Sequence, residues 1–167
     1  MTDAPAPQPL PLGDRFAEGP FPPHHPGCFG CGPANPASPR ITFQRQGNLV
    51  KGTFTLDLRH QGAPGVAHGG ILAAALDEAS GAVLVPLQLP AVTAKLDVTY
   101  STPARLHREL QVTSHLVTRT GRKLFIHAAI TDNETPIASA DALFIEVPPT
   151  HFLQFGATPG ELPSVGV

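Results

Sequence analysis

His68, Gly69 and Gly70 stand directly before an apolar run that carries two acids, Asp77 and Glu78, in the stretch AHGGILAAALDEASG over residues 67–81. A helix starting near Gly69 or Gly70 places Gly70, Ala73, Ala74, Asp77 and Gly81 within about 60° of one line, so Asp77 shares its face only with small residues. Leu72, Leu76, Ala79 and Val83 gather on the opposite side, where a sheet would cover them. Asp77 lies seven residues beyond Gly70, about 10 Å along the axis. The first N–H groups of a helix lack intrahelical partners and carry partial positive charge, which suits a carbonyl oxygen that becomes an oxyanion. A carboxylate in the same groove acts as general base on water or attacks an acyl carbon directly. The pair describes acyl transfer to water. Glu78, about 100° round the helix, reads as ordinary surface. His68 reads as the residue that shapes the helix start, not as a proton carrier.

The chain has two cysteines, Cys28 and Cys31, in the segment HHPGCFGC with His24 and His25 just upstream. Four zinc ligands can be drawn from that segment, but the spacing is not that of a finger and both histidines sit among prolines. The expectation is a turn punctuated by glycine, holding two buried thiols and no metal.

These residues need a scaffold. With 167 residues and 41% hydrophobic content the chain is long enough for one domain with a core. A net charge of -2 supplies no basic field for a phosphate backbone, so nucleic acid is not expected as a partner. The apolar stretch 71–89 is interrupted by Asp77, Glu78 and Pro86, and the first residues carry neither a basic start nor an apolar signal core. The reading is a cytoplasmic protein with no membrane partner. Residues 1–39 hold eleven of the twenty prolines, so 1–27 reads as an extended or disordered arm. From Ile41, ITFQRQ and LVKGTFTLD read as two strands around a Gly47–Asn48 turn. Beyond Pro90 four runs alternate with period two: AVTAKLDVTYS, ELQVTSHLVT, RKLFIHAAITD and PIASADALFIEV. Two strands, one helix and four antiparallel strands make an α+β domain over 28–147, its sheet wrapped around the helix. Residues 148–167 show no period and read as a tail.

The segments CFGCGPANP (28–36), QGAPGVAHGGILAAALDEASG (61–81), AVTAKLDVTYSTPARL (91–106) and RTGRKLF (119–125) resemble the hotdog-fold acyl-CoA thioesterases, especially the phenylacetate-pathway type and its animal relatives. The most specific part is HGG followed by an Asp seven residues after its second glycine. The resemblance implies a long antiparallel sheet around one central helix, in subunits that pair and share active sites. It implies that Asp77 is the catalytic carboxylate and that the Gly70 N–H, next to Gly69, polarises the thioester carbonyl. His60 or Gln61 occupies the place where relatives present an Asn. Thr93 matches a hydroxyl residue that relatives bring from the partner subunit, whereas simple alternation groups it with Lys95 and Asp97. Arg119, Gly121, Arg122 and Lys123 match a basic turn set against the phosphates of coenzyme A. The function implied is hydrolysis of acyl-CoA thioesters without metal or cofactor, in a homodimer at least, with a homotetramer also fitting. The alternative is a hotdog module that binds or senses acyl-CoA without turnover.

Overall fold

The computed structural model describes residues 8–14 and 16–162. In chain order the elements are β1 (Gly19–Phe21), β2 (Thr42–Gln46), β3 (Leu49–Thr55), α1 (Gly69–Ala82), α2 (Leu84–Leu87), β4 (Ala91–Tyr100), β5 (Glu109–Thr120), β6 (Lys123–Asp132) and β7 (Thr135–Glu146). The strands form one seven-stranded sheet in the order β1-β2-β3-β5-β6-β7-β4. Each neighbouring pair is antiparallel. This is the α+β arrangement that the pattern predicts, and the hotdog architecture that the resemblance implies.

Period-two alternation does the folding work. Val50 and Phe54 of β3, Leu110, Val112 and Leu116 of β5, and Leu124, Ile126, Ala128 and Ile130 of β6 are all buried. In β3 the intervening Thr53 and Thr55 are exposed. Gly47 closes the β2–β3 hairpin at φ 60°, a left-handed conformation that a two-residue turn requires and glycine adopts without strain. On β7 the inward residues at 138, 140 and 142 are alanines, which leave room for a helix in the curve of the sheet. There α1 lies against β3, β4, β5, β6 and β7. Its Leu72, Ala75, Leu76, Ala79 and Val83 side is buried, as the helical period predicts.

The C-terminal end of α1 shows how polar groups are satisfied in this core. Ser114 of β5 is fully buried, and its hydroxyl donates to the Ala79 carbonyl at 2.6 Å. That carbonyl belongs to the last turn, where helix acceptors lack regular N–H partners. Ser114→Ala is expected to cost about 1–3 kcal/mol, because it leaves the acceptor without its donor in a dry site. Urea denaturation checks this as a lowered midpoint with an unchanged slope.

Three features differ from the pattern reading or add to it. Within the stretch read as an arm, Gly19–Phe21 forms an edge strand on β2, Leu12 is buried, and the Leu10 N–H donates to the Leu116 carbonyl at 2.9 Å. Phe16 meets Phe21 edge-on and Phe21 stacks on Phe43 there, an aromatic contact that no periodicity in a Pro-rich segment reports. The continuous stretch Gly69–Leu87 is also long and apolar enough, at a mean hydropathy of 1.5, to cross a bilayer. Asp77, Glu78 and Pro86 do not interrupt it as the sequence reading held, but half of it is buried against the sheet, as a core helix is. Finally, Pro149–Phe155 and Pro159–Glu161 form 3-10 turns in the stretch read as a tail. Residues 1–7 of the arm and 163–167 of the tail lie outside the described residues.

Candidate active site

Asp77 sits on the face of α1 that is not pressed onto the sheet, in a half-buried position among the small residues named above. Burial pushes its carboxyl above the ordinary range, a hydrogen bond from Thr93 opposes this, and the neighbouring Glu78 charge adds to the rise. Thr93 Oγ1 donates to Asp77 Oδ1 at 2.9 Å. Both residues belong to the same chain, so the hydroxyl does not have to come from a partner subunit here.

Thr93 faces α1 because β4 is not a regular strand. Its pairing with β7 slips between Thr93 and Lys95, so that Thr93 opposes Phe144 while Lys95 opposes Leu143. Directly paired residues point to the same side of a sheet, and Phe144 is a buried, inward residue. The irregularity therefore turns Thr93 inward and leaves Lys95 and Asp97, which form their own ion pair at 2.6 Å, on the outer face. Grouping Thr93 with Lys95 and Asp97 by simple alternation was wrong for this reason.

The helix start is held on two sides. His68 is the N-cap, and its Nδ1 accepts the Gly70 N–H at 2.9 Å. The donor assigned to a thioester carbonyl is thus covered by the His68 ring. That ring is exposed, so swinging it aside uncovers the Gly70 N–H without disturbing the core. On the other side Tyr100 Oη donates to the Gly69 carbonyl at 2.8 Å. A side chain at Gly69 would touch the Tyr100 ring at 3.5 Å. Sequence reasoning missed Tyr100, whose period-two position says nothing about a helix end 31 residues away.

His60 does not play the part sketched for it. Its ring is buried, Nδ1 accepts the Asp57 N–H at 3.1 Å, and Nε2 lies 3.2 Å from the Ala37 carbonyl, which it must donate to because a carbonyl only accepts. With both nitrogens engaged, His60 is a strut under the loop, and its own carbonyl accepts the His68 N–H at 2.8 Å. Gln61 is exposed, but its Oε1 accepts the Gly65 N–H at 3.0 Å. It braces the 61–67 loop that delivers His68 to the helix.

Glu78 is the largest surprise. Its side chain is only 13% exposed, which overturns the surface reading. It accepts from Cys28 Sγ at 3.1 Å and lies 3.4 Å from His24 Nδ1. Burial raises its carboxyl, but hydrogen bonds from His24, Cys31 and Cys28 together with the His24 charge bring it below the ordinary value.

The thioesterase superfamily model matches residues 64–138, the span from the loop before His68 into β7. That match covers less than half of the chain. Among curated proteins the chain is similar to acyl-coenzyme A thioesterase THEM4 of Mus musculus, 38% identical over 98 residues that make up 58% of this chain and 42% of that protein. The chain spans less than half the length of the curated relatives it matches. Among solved structures it is similar to protein RHA08564, a thioesterase superfamily protein, with a TM-score of 0.68 and 30% identity over 71% of this chain and 60% of that one. A hypothetical thioesterase protein with coenzyme A from Streptococcus pneumoniae TIGR4 shares the fold, with a TM-score of 0.57 and 24% identity over 60% of this chain and 79% of that one.

The basic turn of 119–123 joins β5 to β6, with Gly121 at φ 57° making the reversal. Thr93 pairs with Phe144, and Phe144 pairs with Leu124, so the turn and Thr93 lie at the same end of the sheet, two strands and about 10 Å apart. Arg119 is engaged, its Nη2 donating to Glu146 at 2.6 Å and its Nε to the Gly121 carbonyl at 3.2 Å. Arg122 and Lys123 are exposed.

Proposed function

We propose that the chain hydrolyses acyl-CoA thioesters to a free acid and coenzyme A, with Asp77 activating water or attacking the acyl carbon. The observation that carries this reading is the Thr93–Asp77 hydrogen bond on the small-residue face of α1. The hydroxyl fixes one carboxylate oxygen and leaves Oδ2 to take a proton from water or to attack. The helix start, once His68 moves aside, offers the Gly70 N–H to the oxyanion. Arg122 and Lys123, at the same end of the sheet, would meet the coenzyme A phosphates. The similarity to an acyl-coenzyme A thioesterase and to a structure with coenzyme A supports the substrate class.

The same reading includes a homodimer. β4 is an edge strand of ten residues whose free backbone groups can pair with a second copy. Such a copy would close the groove between Asp77 and the helix start.

Thiol release from short, medium, long and aromatic acyl-CoAs tests the proposal. Turnover of at least one class is expected. Tight binding of acyl-CoA with no release would leave the alternative, a binding or sensing module, for which the capped Gly70 N–H is the favouring observation. Thr93→Val keeps the shape and removes the hydroxyl, and is expected to lower kcat by about tenfold to a hundredfold, the equivalent of one hydrogen bond to a charged group. KM should change little, because the hydroxyl touches the carboxylate and not the substrate.

A further inference from the structure

His24, Cys28, Cys31 and Glu78 converge at a point that the Asp77 chemistry does not use. Their donor atoms, His24 Nδ1, Cys28 Sγ, Cys31 Sγ and a Glu78 carboxylate oxygen, all lie within 4.8 Å of one another. We propose that these four atoms are the ligands of a structural zinc ion. The set combines two soft thiolates with an imidazole and a carboxylate, a mixture that suits zinc.

The distances fit that ion. Cys28 Sγ is 3.1 Å from Glu78 Oε2, Cys31 Sγ is 3.4 Å from His24 Nδ1, and His24 Nδ1 is 3.4 Å from Glu78 Oε1. Zinc bonds of about 2.0–2.3 Å in a tetrahedron set ligand atoms about 3.3–3.8 Å apart. These three edges need shifts of only a few tenths of an ångström, and the remaining donor pairs lie within 4.8 Å. Neither cysteine is tied up in a disulfide.

The loop is shaped for this convergence. The Gly30 N–H donates to Cys28 Sγ at 3.2 Å, which fixes the position of the sulfur. The Gly32 N–H donates to the Cys28 carbonyl at 3.0 Å, which folds the two cysteines onto one side. A Cβ at Gly30 would stand 2.6 Å from Glu78 Cβ, and one at Gly32 would stand 2.5 Å from the Cys28 carbonyl oxygen. Glycine at both positions is what lets the loop close over a carboxylate 50 residues away. The turn expected at Cys28–Cys31 is present, and what falls is the surface reading of Glu78, whose side chain is 13% exposed beneath that turn. Neither cysteine-histidine spacing nor helical period reveals a fourth donor supplied by α1. Four protein ligands make a closed site, so the ion's work is to staple residues 24–31 to α1 beside Asp77.

The test uses the full chain, purified under reducing conditions without chelators, with zinc measured by inductively coupled plasma mass spectrometry. About one zinc per chain is expected, with loss of the metal in the Cys28→Ser, Cys31→Ser double variant. Cobalt(II) in place of zinc should give thiolate charge-transfer absorption together with the visible bands of tetrahedral cobalt. Glu78→Gln should weaken zinc binding by about tenfold or more in competition with a chromophoric chelator. Where the double variant does not fold, the cobalt spectrum of the unsubstituted chain decides. Any of three results overturns the proposal: no metal uptake and a cobalt spectrum without thiolate bands, zinc content unchanged in a folded double variant, or an intact mass showing a 28–31 disulfide in chain prepared with zinc supplied.

Discussion

Asp77→Asn is expected to lower kcat for acyl-CoA hydrolysis by about a hundredfold to ten-thousandfold, the range associated with loss of a positioned general base. The amide matches the carboxylate in size and still accepts the Thr93 hydroxyl, which lies 2.9 Å from Oδ1 in the native chain. It can neither take a proton from water nor form an acyl intermediate. Thermal stability should hold or rise, because the native side chain is a half-buried carboxylate whose charged form is disfavoured by burial. Substrate affinity, measured by titrating the variant with acyl-CoA, should stay within a few fold. A variant that keeps native kcat would remove Asp77 from the chemistry and move the search to the helix start.

Leu76→Ala should unfold the protein more readily than any surface change. Leu76 is 0% exposed on the sheet side of α1, one turn from Leu72 and Ala79, in the only long helix among the described residues. A cavity left there opens into an inner face already lined by Ala128, Ala140 and Ala142, small residues that cannot move in to fill it. The expected loss is about 2–5 kcal/mol, a fall of roughly 5–20 °C in Tm for a chain of this size. Leu58→Ala is the control, since Leu58 is 69% exposed and its truncation should change stability by less than about 0.5 kcal/mol. Equal losses in the two variants by calorimetry would mean that α1 is not the keystone of the core.

What was legible in the sequence followed from period. The helix over Gly69–Ala82 could be assigned to its faces residue by residue because 100° steps separate Leu72 and Leu76 from Asp77. The strands β2, β3, β5, β6 and β7 could be seen because inward and outward residues alternate along most of their length. What escaped was contact between distant segments. Thr93 needed the slipped pairing with β7, which alternation assumes away. His60 carries a ring that could serve chemistry, and only its two hydrogen-bond partners show it committed to the loop. Glu78 looked like surface because its partners, His24, Cys28 and Cys31, arrive from a Pro-rich segment with no period at all. β1 was hidden for the same reason.

The Tyr100 contact with the helix start has a practical side. The chain contains one tyrosine and no tryptophan, so nearly all of its near-ultraviolet emission comes from the ring whose hydroxyl holds the Gly69 carbonyl. The protein therefore carries its own optical reporter at the entrance to the proposed site. Displacement of that hydroxyl as a ligand reaches the Gly70 N–H would be read as a change in tyrosine fluorescence, without labelling and without a second fluorophore to subtract. A single fluorotyrosine resonance would report the same event in solution NMR.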